Sequence, residues 1–219
     1  MGLRSLLVKF RTMQVNQLRG LLYEFGVSLK SGRHAGLNEI RMRMAELETG
    51  LPGVLWQQLP DQLRRIEEID RHIEQIEKQM SQWQKQEAAC RAISEIPGIG
   101  RLTATALVAT TGEPKTFKSG REFAAFLGLV PRQQGTGGKV RLGSISKRGD
   151  TYLRTLLIHG ARAVLFRTKC PTAWQTDIQP RRPVNVAAVA LANKLARTAW
   201  AVLAKGAQYQ KEYVSVKPA

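Results

Sequence analysis

The sequence predicts an all-α protein, with an elongated helical, coiled-coil-bearing N-terminal part and a compact helical C-terminal domain built around a helix–hairpin–helix. Three observations carry this. Ile66, Ile69, Ile73, Ile76, Met80 and Trp83 repeat at alternating steps of 3 and 4, the 3.5-residue seam of paired helices. Helically spaced apolar residues flank a tight Pro-Gly-x-Gly turn at Ile96–Gly100. Val184 to Lys205 is one long Ala-rich apolar stretch. No convincing strand alternation is present, and Lys139-Val140-Arg141 could at most form a short ribbon.

Taken in order, residues 3–25 read as a helix, with Leu18, Leu21, Leu22 and Phe25 at helical spacing and Gly26 as C-cap. A loop at 28–36 leads to a second helix at 37–47, stopped near Gly50-Leu51-Pro52-Gly53. In the seam segment, Glu67, Glu68, Arg71, Glu74, Glu77 and Lys78 form a solvated face. That seam suits either a second copy or another helix of the same chain. Leu102, Ala106, Leu107 and Val108 continue a helix to Gly112. Ser119 and Glu122 fit a capping box, opening a short helix that stops at Gly128. Residues 131–149 read as a Pro/Gly/basic loop. Asp150 can cap a helix running to Arg167, 168–183 reads as loop, and a helix at 184–205 ends at Gly206.

Charge divides the chain. Of a net +17, residues 1–95 hold 14 Lys/Arg against 12 Asp/Glu, and residues 96–219 hold 20 against 5. A polyanion-binding surface therefore belongs to the C-terminal part. A 43% apolar content argues against wholesale disorder. Cys90 and Cys170 are expected unpaired, and His34, His72 and His159 lack zinc spacing, so no structural metal is expected. With no signal-type start and no run approaching about 18 apolar residues, the expected location is cytoplasmic, without a membrane partner.

Three constellations could act on a polyanion. Gly98 and Gly100 offer backbone N–H groups at a helix start, with Arg101 and Thr103 beside them. The stretch from Arg132 to Arg154 gathers Arg132, Lys139, Arg141, Lys147, Arg148 and Arg154 among glycines, with Asp150 its single acid. Thr136, Ser144 and Ser146 in that stretch are candidate nucleophiles toward a phosphodiester flanked by cations, and the residues alone do not choose among them. A two-metal centre needs clustered carboxylates, whereas Glu113, Glu122, Asp150, Asp177 and Glu212 are dispersed.

The strings IPGIGRLTATALVATTG, FKSGREFAAFLGLVPRQ and GTGGKVRLGSISKRGDTYLRTLLIHGARAVL resemble the C-terminal transposase domain of the insertion-sequence 110 family, also labelled 116 and 902. The resemblance implies DNA transposition and recombination guided by a structured RNA. It further implies an N-terminal RuvC-like domain that holds divalent metal on four acids, a coiled coil, and a serine that links covalently to DNA in a site completed between subunits. Counted from Pro131, Thr136 stands where that serine is expected, with Ser144 and Ser146 as fallbacks. The implied organisation is a helical lead-in at 1–58, a coiled-coil helix at 59–94, the transposase domain at 95–207 and a loose tail at 208–219. Because the chain starts inside the helical region, it is expected to be truncated and not autonomous, with no cofactor of its own. DNA, a guide RNA and a second copy through Ile66–Trp83 are the expected partners. The alternative is a non-catalytic helix–hairpin–helix module; a membrane-surface role for the Ala-rich helix is weaker, since that helix lacks a strong polar face.

Overall fold

The computed structural model describes residues 2–136 and 139–210; the side chains of Thr136 and Val140 fall outside that description. The fold is mostly α. Helices α1 (Gly2–Glu24), α2 (Arg33–Met42), α3 (Met44–Gly50), α4 (Gly53–Gln86), α5 (Ala88–Ser94) and α6 (Arg101–Thr111) lead through a 3-10 turn at Pro114–Thr116 to α7 (Gly120–Phe126). The antiparallel strands β1 (Pro131–Thr136) and β2 (Lys139–Ile145) follow, then α8 (Thr151–Arg167), α9 (Ala173–Arg181) and α10 (Val184–Lys205). Residues 1–79 and 80–219 form two compact units.

The first unit is a helical hairpin with a cross-piece. Arg4 of α1 donates to Glu77 of α4 at 2.5 and 2.8 Å, and Arg11 donates to Asp70 at 2.7 Å. Seven residues forward on one helix match seven back on the other, so α1 and α4 run antiparallel with the 3.5-residue repeat between them. Val15, Leu18 and Leu22 of α1 meet Leu59, Leu63 and Ile66 of α4 in a core completed by Leu37, Ile40, Leu47 and Leu51. Of the predicted seam, Ile66 and Ile73 are buried within the chain. Ile69, Ile76 and Met80 are half-buried, and Trp83 is exposed. The expected second helix is broken at Arg43 into α2 and α3.

The second unit is organised on α10. Ala187, Ala188, Leu191, Ala192, Leu195, Ala196, Ala199 and Val202 are buried along it, and small side chains let neighbouring helices approach closely. Gly120, opening α7, lies against the Arg197 backbone, with its Cβ position 3.1 Å from the Arg197 Cα. On α8, a Cβ at Gly160 would collide with the Gly98 carbonyl. Trp200 Nε1 donates to the Pro114 carbonyl at 3.0 Å and ties the 3-10 turn down. By length and composition α10 could cross a membrane; here its apolar stripe is the core of the unit.

The stretch expected to be a loop at 131–149 is instead a β-hairpin with a fixed root. Ser146 N donates to the Val130 carbonyl at 2.8 Å and Lys147 N to the Gly128 carbonyl at 3.2 Å. Gly128 and Gly149 both have positive φ, +69° and +86°, and a Cβ on either would overlap the facing backbone carbonyl, that of Arg148 or Phe126. Lys147 between them takes φ 55°, unusual for a side-chain-bearing residue. A second difference lies in 168–183, where α9 forms behind a Thr172–Gln175 capping box. Of the expected loose tail, residues 211–219 lie outside the described residues.

The interlock predicts that Gly149→Ala destabilises the protein by more than about 2 kcal/mol, because strained φ and overlap act together. Gly143→Ala, whose Cβ would find its nearest neighbour at 3.8 Å, is expected to stay within about 0.5 kcal/mol; urea midpoints of the two variants test this. Both cysteines are free; Cys90 is buried and Cys170 exposed. Burial, with Glu87 adding, pushes the Cys90 thiol up to about 11. A thiol-reactive dye at pH 8 should therefore label one site per folded chain, and a second only on unfolding.

Candidate nucleic-acid interface

Register decides which cations share a face. Gln134 pairs with Arg141 and Gln133 with Leu142, and alternate residues of a strand point the same way. Arg132, Gln134, Lys139 and Arg141 therefore lie on one face of the hairpin, and Pro131, Gln133 and Leu142 on the other. Arg132 Nη2 also donates to the Ser146 carbonyl at 3.3 Å, holding its guanidinium near the root. Lys147 and Arg148 are exposed at that root. Leu142 is 66% exposed, so the ribbon has a cationic face and a partly apolar one.

These cations lack local compensation. Glu113 accepts from Lys115 N, Glu122 from Lys118 N, and Asp150 from Leu153 N. Each of the three carboxylates thus sits at a helix start, as helix dipoles favour. Asp177 pairs with Arg181 one turn away. That uses every described carboxylate beyond residue 95. Among the described residues, none reaches Arg121, Arg132, Lys139, Arg141, Lys147, Arg148 or Arg197. The first unit differs: Arg4, Arg11, Arg33, Arg41, Arg43, Arg64 and Arg65 all have acidic partners there.

Arg154 is a correction. It is 7% exposed and donates to the carbonyls of Leu127 and Arg148 at 3.1 and 3.3 Å and to Thr151 Oγ1 at 3.0 Å. Its guanidinium fastens the hairpin root and is turned away from any solvent-side phosphate. Thr103 is likewise 6% exposed, in the core-facing side of α6. Gly98 has a packing role, since Val164, Leu195 and the Gly160 carbonyl already surround its Cβ position within 3.1 Å. Gly100 is exposed as the N-cap of α6, without a side-chain cap. Arg101 donates to Ser81 Oγ at 3.0 Å. From the hairpin root at Asp150 to Gly160, where Gly98 sits, α8 advances ten residues, about 15 Å, so the turn and the hairpin root form two groups.

The candidate nucleophiles differ in setting. Thr136 closes β1 in register with Lys139, and its side chain falls outside the described residues. Ser144 is exposed on β2. The Ser146 hydroxyl oxygen is buried and has no hydrogen-bond partner, so it is shielded from a phosphodiester. Among the described residues no three His, Cys, Asp or Glu side chains come together as a cation site.

One feature escaped the sequence reading. A cavity of about 500 Å3 opens at the hairpin root, lined by Arg121, Val130, Pro131, Gln133, Asn193 and Arg197. The lining is split among α7, the root of β1 and α10, and no local motif joins these residues.

Comparison with known proteins places this geometry in context. Residues 90–176 match the family described as Transposase IS116/IS110/IS902. The chain is 45% identical over 219 aligned positions to a probable family 20 transposase of Pseudomonas aeruginosa, covering 94% of this chain and 63% of that protein. It is 38% identical to the transposase for insertion sequence element IS1111A of Coxiella burnetii, with 95% and 58% covered. It is also 38% identical to the transposase for insertion sequence element IS1328 of Yersinia enterocolitica, with 95% and 63% covered. The chain spans about three fifths of the length of these relatives.

Replacing Arg154 by Met should cost about 2–4 kcal/mol, since two carbonyls lose their donor in a buried setting. It should leave the salt dependence of polyanion binding intact at temperatures where the variant is folded. Denaturant titration beside binding isotherms checks this.

Proposed function

Because the domain at residues 90–176 belongs to the Transposase IS116/IS110/IS902 family, we propose that residues 80–210 are the DNA-handling part of an insertion-sequence transposase acting in the cytoplasm. The observation that carries this is electrostatic. Arg132, Lys139 and Arg141 share one hairpin face, and every described acid beyond residue 95 is committed at a helix end or to Arg181. Such a face takes up a sugar–phosphate backbone and releases its counterions. Structured RNA is a second polyanion suited to the same face.

In the catalytic form of this reading, the Thr136 hydroxyl attacks phosphorus at the hairpin end, and Ser144 is the alternative. The new ester forms as the bond to the leaving strand's oxygen breaks, and that oxygen takes up the hydroxyl proton. Neighbouring cations stabilise the oxyanion. The β-branch of threonine narrows the approach compared with serine. The second reading, a non-catalytic module, is favoured by exposed Gly100 opening α6 with uncapped amides, a phosphate-positioning arrangement that needs no chemistry.

A second copy is the proposed partner of the first unit. Leu3, Leu6, Phe10 and Met13 are 45–61% exposed at steps of 3, 4 and 3 on α1. With α1 and α4 antiparallel and about 100° per residue, this stripe and half-buried Ile69 and Ile76 lie on the same side of the helix pair. Two such faces can close into a four-helix arrangement.

Arg132→Gln and Arg141→Gln should each shallow the slope of log K against log salt by about one on duplex DNA; unchanged slopes would remove the hairpin face from the interface. A suicide DNA substrate should trap a covalent adduct that Thr136→Ala abolishes and Ser144→Ala spares. Salt-sensitive binding with no adduct leaves the module reading. Phe10→Glu should shift sedimentation toward monomer with the helical signal retained, and an unaltered mass sinks the paired-copy proposal.

A further inference from the structure

The cavity at the hairpin root lies on the Gln133 face, opposite the cationic face of Arg132 and Arg141. Gly120 packs on the Arg197 backbone, and Arg121, the next residue, lines the same cavity as Arg197. Both are exposed, and neither has an acidic partner among the described residues. By contrast Lys194, on the same helix, is occupied over the Trp174 ring at 5.1 Å. Two guanidinium forks on one cavity, free of carboxylates, are suited to bidentate contact with phosphate oxygens.

The rest of the lining suits a base. Asn193 spends its Nδ2 on the Leu129 carbonyl at 3.2 Å, which leaves its Oδ1 as an acceptor. Gln133 is exposed and adds a second amide. Amide side chains match paired donor and acceptor groups on base edges, while Val130 and Pro131 supply an apolar wall. At about 500 Å3 the space is roughly 8 Å on a side and falls in the small-ligand range. A single base suits a space of this size, whereas a base still stacked and paired in a duplex does not reach it.

We propose that this cavity is a binding site for one unpaired nucleotide of a DNA or RNA strand, with its phosphate on Arg121 and Arg197 and its base against Gln133, Asn193, Val130 and Pro131. The site rests on the nucleic-acid reading above but adds a separate surface, on the other face of the hairpin. A strand held there and a duplex held on the Arg132–Arg141 face would meet the ribbon from opposite sides.

The test measures binding of a fluorescent 20-mer to the full chain over a salt series, as single-stranded DNA, single-stranded RNA and duplex DNA. R121Q/R197Q is compared with R167Q/K169Q, which removes two exposed charges elsewhere in the same unit. R121Q/R197Q should weaken single-strand binding tenfold or more and shallow its slope by about 1.4, with less than twofold change on duplex. Whichever single strand shows the larger loss identifies the source. A thiol-attached photo-cross-linker at Gln133→Cys, in a Cys170→Ser background because Cys170 is exposed, should label the single strand and lose that labelling in R121Q/R197Q. Equal losses in both double variants, equal losses on duplex, or no loss each overturn the cavity site while the hairpin reading stands. If the wild-type chain shows no salt-sensitive binding to any of the three, the nucleic-acid reading fails and this site with it.

Discussion

The backbone interlock at the hairpin root is the constraint on which the second unit depends. Residues 126–130 and 146–149 lie against each other main chain to main chain, at a spacing that Gly128 and Gly149 permit and that a Cβ would forbid. Ser146 N and Lys147 N donate across the seam, and Arg154 gathers the Leu127 and Arg148 carbonyls from beneath. A two-stranded ribbon is marginal in water by itself. Here it projects from a seat that fixes its root on the helical core. The aim of Arg132, the exposure of Arg148 and the opening of the cavity all follow from that seat.

The distribution of acids shapes the electrostatics as much as the surplus of bases does. A carboxylate at a helix start satisfies orphan N–H groups and offsets the dipole, so its place is set by the helix end and not by the nearest guanidinium. Glu113, Glu122 and Asp150 are used in this local way, while the first unit spreads Asp70 between Arg11 and Arg33 across three helices. One composition thus yields a self-neutralised helical hairpin and a field-bearing domain. Exposed ion pairs in the first unit contribute about 0–1 kcal/mol each, so its core, not its charges, holds it.

Much of this was legible from residues. The 3.5-residue repeat marked α4, Gly26 and Gly206 marked helix ends, and Asp150 and Ser119 cap as their positions suggest. The hairpin is harder to read, with only a short ribbon at Lys139-Val140-Arg141 legible, because glycines and cations mask a weak alternation, although Gly137-Gly138 between two short runs is itself a hairpin signal. Helix α9 is not legible because three prolines between 168 and 183 read as breakers, whereas the Thr172–Gln175 capping box is what starts it. Arg154 read as a ligand because charge is visible in a sequence and burial is not. Gly98 read as a phosphate turn because the pattern cannot show that Val164 and Leu195 fill the space beside it. The cavity was out of reach altogether, since its walls are brought together only by the close approach of α7 to α10.

That close approach sets an anchorage. With Gly120 resting on the Arg197 main chain and alanines lining α10 beneath, the two helices already sit at contact distance. The floor between them is set by main chain and small side chains, while exposed Arg121, Arg197 and Gln133 stand around it. Main-chain contact of this kind fixes the points from which Arg121 and Arg197 leave their helices, so the ordering lost when a guest enters falls on side-chain rotamers and not on backbone.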